Sequence, residues 1–97
     1  MNAVSKDSGF TPYRIGCSYL VRTVTNYFSG NLVAVYEHEL VLTKAAWIAD
    51  TGRFSEALKT GVMSEVEPIP GQVIIGRGAI VDVCEWPEGK PLPDTVK

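Results

Sequence analysis

Histidine and cysteine are scarce in this sequence, and their scarcity removes most metal and nucleophile chemistry. The 97 residues hold one histidine, His38, and two cysteines, Cys17 and Cys84. Neither cysteine belongs to a CxxC or Cys/His cluster, so no zinc motif and no disulfide framework can be read. Both sit in apolar, strand-like stretches, where a thiol behaves as a small hydrophobe. This usage fits a reducing, cytoplasmic compartment. Long apolar runs are also absent. Nothing approaches the ~18 residues that span a bilayer, so no membrane partner is expected. Met1–Gly9 is polar and lacks the apolar core of a signal peptide. A positive balance is missing too: 9 Lys and Arg against 11 Asp and Glu leave a net charge of −2. Duplex nucleic acid, whose binding leans on phosphate neutralisation, is therefore not an expected partner class.

What remains is an ordinary globular composition, 45% hydrophobic and 21% charged, in a chain the length of one small domain. The first 11 residues (MNAVSKDSGFT) read as a flexible leader. Residues 12–87 read as a single small β-barrel domain, and 88–97 (EGKPLPDTVK) as a Pro-rich extended tail. Within the domain, YLVRTVTNYF is rich in β-branched and aromatic residues and reads as one strand. Ser29-Gly30-Asn31 is a turn signal, LVAVY a second strand, Glu37-His38-Glu39 a second turn and LVLTKAAWI a third strand. Asp50-Thr51-Gly52 breaks the pattern. One short helix is expected over about 53–60, with Phe54, Ala57 and Leu58 in i, i+3, i+4 spacing. Asp50 or Thr51 is placed to cap it, and Gly61 to end it in a left-handed conformation. MSEVEPIPG is extended, and its prolines confine it to an edge or a connector. QVIIGRGAIVDVCEW supplies one bent strand or two short ones, with Gly76 and Gly78 at the bend. The fold class is mainly β: a bent antiparallel sheet or barrel of about five strands with one short helix.

The order of these signals resembles the Sm-like barrel. "SGNLVAV", a short charged turn and "ELVLTKA" resemble its first half, and "VIIGRGAIVDV" its second, over about 19–46 and 73–83. An SH3-like barrel fits the same order. In Sm-like proteins an Asp after the second strand and an Asn before the third help form a base-binding pocket. Tyr36 and Glu39 stand nearest those positions here, so that pocket does not carry over. A second resemblance covers nearly all of 15–93. AAWIADTGRF, preceded by YLVRTVT and followed by SEVEPI and GAIVDVCEW, looks like a family of small uncharacterised bacteriophage proteins. It implies a phage accessory product working in the cytoplasm of an infected bacterial host, and it assigns no activity or site residues.

The catalytic inventory is thin. His38 between two glutamates reads as a solvated turn, with metal ligand or general base as the alternative. No serine sits in a nucleophile elbow. Gly76-Arg77-Gly78 is neither a dinucleotide fingerprint nor a P-loop. It is either a ligand contact through Arg77 or a barrel bend. The sequence is accordingly not read as an enzyme, and no cofactor is implied. The stretch from Trp47 to Phe54 is the strongest binding candidate. Trp47, Asp50, Thr51 and Arg53 offer stacking, hydrogen bonding and anion recognition, as a nucleotide-like ligand requires. The structural alternative makes Trp47 and Phe54 core, Asp50 or Thr51 a cap and Arg53 a solvated cation. Arg22, among Val and Thr on the first strand, faces either solvent or a pocket. The expectation is a homo-oligomeric phage accessory protein that sequesters a small anionic ligand such as a host immune signal, without catalysis. The alternatives are a protein–protein module docking on a host or virion protein through a sheet edge, or a divergent Sm-like RNA binder.

Overall fold

β-branched and aromatic residues dominate the segments that pair, and Gly, Asn and Pro mark most of their ends. The computed structural model describes residues 11–97, so the leader lies outside the described residues except for Thr11. Six strands form one antiparallel sheet: β1 (Ser18–Thr23), β2 (Tyr27–Val35), β3 (Glu39–Asp50), β4 (Glu65–Pro68), β5 (Val73–Gly76) and β6 (Ile80–Glu85). The order across it is β4-β3-β2-β1-β6, with β5 alongside β3 as well. Besides β2, the long β3 serves two further partners, β5 on Glu39–Leu42 and β4 on Ala46–Asp50. One helix, α1 (Phe54–Thr60), and a 3-10 turn (Arg77–Ala79) complete the described residues. The architecture is a mainly β, bent sheet that remains open, in the strand order of a small barrel.

The first turn falls elsewhere than the sequence reading placed it. YLVRTVTNYF is two strands, because the chain reverses at Val24–Asn26. Thr23 makes that reversal. Its amide donates to the Asn26 carbonyl at 2.8 Å, while its hydroxyl bonds the same carbonyl and accepts from the Asn26 amide at 3.2 Å. These local hydrogen bonds outweigh the β-propensity of the run. Ser29-Gly30-Asn31 lies inside β2 instead. Gly30 is there for space: an added Cβ would stand 3.0 Å from Leu42 Cβ and 3.3 Å from Ala45 Cβ.

Both faces of the sheet are covered. One core lies within the bend, around Tyr19, Val21, Leu32, Leu40, Leu42 and Ile75, with Tyr13 and Ile15 packed on it. The other joins Leu20, Ala46, Ile48 and Val66 to Ala57 of α1, Met63 and Trp86. Ser29 is completely buried on β2, with its Oγ unpartnered. A bulge in β3 lets one strand serve both cores, since Ser29 pairs Ala46 and Asn31 pairs Thr43, leaving Gly30 opposite Lys44 and Ala45. Residues after Gly89 return over the second core. Leu92 packs there, and Lys97 exchanges two backbone hydrogen bonds with Val66, at 3.0 and 3.1 Å. Cys17 is exposed in the turn before β1 rather than in a strand interior, because Gly16 (φ 93°) reverses the chain there.

Candidate functional site

α1 begins at Phe54 without a side-chain cap, so neither Asp50 nor Thr51 caps it. Both residues stabilise the loop before it. Asp50 Oδ1 accepts the Gly52 amide at 2.8 Å, and the Thr51 hydroxyl donates to the Gly52 carbonyl at 2.8 Å. Gly52 (φ 74°) sits where an added Cβ would meet Ser64 Oγ at 2.7 Å. At the far end of α1, Gly61 (φ 72°) donates its amide to the Ala57 carbonyl, the left-handed stop that its place in the sequence predicts.

Beside that loop, β1, the Val24–Asn26 turn and β3 enclose a groove of about 420 Å³, which includes Arg22, Thr23, Thr25, Asn26, Trp47 and Val81. Its size is suited to a small ligand. Trp47 is 41% exposed. It stands in register with Phe28 on β2 and Glu67 on β4, so these three share a face. Arg22 is in register with Tyr27 and Asp82 and belongs to the opposite face, and it too lines the groove. The Arg22 guanidinium pairs with the Asp82 carboxylate, and both side chains are nearly half exposed. That hydrogen bond and charge raise the Arg22 pKa further. Val24 and Val81, both well exposed, give the groove an apolar margin.

The other sequence-derived candidates lie elsewhere. Thr51 and Arg53 line a second groove of about 380 Å³ with Glu56, Ser64 and Lys97. Arg77 lines a third, of about 520 Å³, beside Tyr13, Tyr19 and β6. Its Nη1 donates to the Tyr36 carbonyl at 2.9 Å, and its guanidinium carbon lies 5.6 Å from the centre of the Tyr13 ring. Arg77 therefore ties the 3-10 turn to the β2–β3 hairpin and the N-terminal segment. Trp47, Arg53 and Arg77 sit in three separate grooves; Trp47 shares its groove with Arg22, and Arg53 shares its own with Thr51. The sequence reading missed Thr25, Asn26 and Val81. The spacing Thr23-x-x-Asn26, a local side-chain-to-backbone turn signal, marks the first two.

Among the described residues, no group of three His, Cys, Asp or Glu side chains is placed to hold a metal ion. His38 is exposed, 3.9 Å from Glu37 Oε1. No helix among them is long and apolar enough to cross a membrane.

Fold and groove together define a small bent β-sheet module with a groove that Trp47 helps to line. Comparison with protein-family models, curated proteins and solved structures finds no match to this chain.

Proposed function

We propose that this protein is a non-catalytic binding module, which takes a flat, anionic, nucleotide-type ligand into the Trp47 groove and works as a homo-oligomer. The exposed indole of Trp47 carries the reading. A large aromatic held on a strand and left open to solvent provides a stacking platform that tolerates any base-like ring. Arg22 supplies one cation to the groove. Its partner Asp82 is exposed enough for a ligand phosphate to take its place, and the Thr25 and Asn26 side chains offer neutral hydrogen-bonding groups. Sequestration of a signal requires no more than this. The phage origin rests on the AAWIADTGRF resemblance, and with it the host cytoplasm as the place of action.

The oligomer reading rests on the sheet edges. The outer edge of β4 is occupied, since Lys97 takes both backbone groups of Val66 and Pro68 has no N–H. Among the described residues β6 pairs only with β1. The Trp86 amide donates to Ser18, so by alternation the amides of Val83 and Glu85 face away from β1. That open edge supports self-pairing, and it also supports the alternative of docking on a partner protein.

The test is a thermal-shift and calorimetric screen of nucleoside phosphates and cyclic dinucleotides on wild type and Trp47→Ala, with light scattering on the same samples. A ligand at a hundred-fold excess over its Kd stabilises the fold by about 2.7 kcal/mol. The expected result is a stabilising nucleotide whose binding is lost in Trp47→Ala. A hit indifferent to Trp47→Ala removes the groove. A monomer that stabilises with no nucleotide leaves the β6 edge and protein docking as the better reading.

A further inference from the structure

We propose that the β3 bulge carries a second binding site, independent of the Trp47 groove, in which Lys44 and Lys90 hold the phosphate of an organic phosphate monoester. The starting point is a misfit between residue and backbone. Lys44 is the first residue of the bulge and has φ 50°, a left-handed conformation. Glycine is the residue such a bulge position favours, because a Cβ crowds the backbone there. At the five other left-handed positions of the described chain, Gly16, Gly52, Gly61, Gly71 and Gly89, the sequence does place glycine. A lysine at this one position adopts a conformation that a side chain disfavours. Strain retained in this way directs attention to what the side chain does.

The side chain has a site to serve. Lys44 lines a groove of about 620 Å³ between the bulge and the returning tail, together with Lys90, Ser18, Asn31, Pro91 and Leu92. Lys90 is held by its backbone: the indole N–H of the buried Trp86 donates to the Lys90 carbonyl at 3.1 Å and to the Pro91 carbonyl at 3.3 Å. Neither lysine forms an ion pair among the described residues. Among the described residues Asp94 is the one carboxylate lining this groove. The Asn31 amide donates to the Gly16 carbonyl at 2.8 Å and to Ser18 Oγ at 3.4 Å. The Ser18 hydroxyl accepts there, and its own proton remains for a ligand oxygen. Two ammonium groups and a hydroxyl match a dianionic phosphate better than a single carboxylate. Pro91, Leu92 and Ile69 form an apolar wall that an organic substituent would cover.

The experiment is an NMR titration of the full chain with phenyl phosphate and, separately, with inorganic phosphate. Phenyl phosphate should give saturable amide shifts centred on Ser18, Asn31, Lys44, Ala45 and Lys90–Leu92, and bind at least ten-fold tighter than inorganic phosphate. Lys44→Gln keeps the strained backbone and removes the charge, and should weaken binding at least ten-fold. Lys44→Gly should weaken it equally while its melting temperature holds or rises, since the strain is gone. Lys90→Gln should repeat the loss. Shifts centred on Trp47 and Val24–Asn26, no saturation, equal affinity for inorganic phosphate, or unchanged binding in Lys44→Gln would each overturn the site. The Trp47 reading stands or falls on Trp47→Ala, which leaves this groove intact.

Discussion

Gly30 on β2 and Leu42 on β3 approach so closely that a Cβ on the first would stand 3.0 Å from the Cβ of the second. Leu42 is fully buried in the inner core, so its backbone and Cβ have little room to retreat. Gly30→Ala is therefore expected to destabilise the protein by about 1–3 kcal/mol, the usual scale for overpacking a dense core. Urea denaturation measures it. A change within about 0.5 kcal/mol, the range of a neutral surface substitution, would show that the two strands can separate at no cost.

The same glycine explains what the sequence could and could not reveal. Composition and turn chemistry were sufficient for a mainly β sheet, for the Glu37–Glu39 reversal, for α1 and its Gly61 stop, and for the break around Arg77–Ala79. They failed at Ser29-Gly30-Asn31. Close packing between strands and a tight turn both call for glycine, and only tertiary contact separates the two. They failed again at Val24–Asn26, where a β-branched run hides a reversal built from the Thr23 hydroxyl. Of the six candidate site residues, the fold gathers Arg22 and Trp47 at one groove and Thr51 and Arg53 at another. It gives Arg77 a tie to the Tyr36 carbonyl and Asp50 a bond within its own loop. Proximity along the chain did not become proximity in space, because the strand reversals decide which ends meet. Lys44 passed unnoticed in the sequence, since a bulge has no signature when its left-handed residue is not glycine.

The two tryptophans should respond differently to truncation. Trp86 is 8% exposed, donates its indole N–H to the tail and packs against Gly61. Trp86→Ala should cost about 3–5 kcal/mol. Trp47 is 41% exposed, and Trp47→Ala should cost clearly less, about 1–2 kcal/mol for its buried part. Denaturation midpoints of the two variants decide the matter. A Trp47→Ala protein as unstable as Trp86→Ala would make Trp47 a core residue and remove the support for a stacking platform.

Asp50 supplies one of the two side-chain hydrogen bonds within the loop before α1, the other being that of Thr51. Asp50 Oδ1 holds the Gly52 amide, and the Ser64 amide donates to the Asp50 carbonyl at 2.9 Å. Asp50→Ala removes the first and keeps the second. The expected loss is about 1 kcal/mol, the net worth of an exposed hydrogen bond, with Asp50→Asn restoring most of it. Amide exchange should quicken from Thr51 to Phe54 and stay unchanged in β1. Uniform quickening across the sheet would mean that the loop is coupled to the whole fold.

Cys84 gives the alkaline limb of stability a definite sign. Burial is the main cause that pushes its thiol up from the ordinary value, the Asp82 carboxylate adds to this, and the Arg22 guanidinium opposes it. The folded protein therefore holds the Cys84 proton to higher pH than the unfolded chain does. The resulting stabilisation is complete below the unfolded thiol's pKa and is lost as pH rises through the folded one, so stability should decline through the alkaline range. Cys84→Val removes the proton linkage with little change of volume, and the difference between its alkaline limb and that of wild type isolates this one group. The thiols should also separate chemically, since the thiolate is the reactive form. A disulfide reagent at neutral pH should label exposed Cys17 first and Cys84 more slowly, with the two rates converging in urea. Equal labelling in the folded protein, together with identical alkaline limbs for wild type and Cys84→Val, would show that the sheet does not shield Cys84.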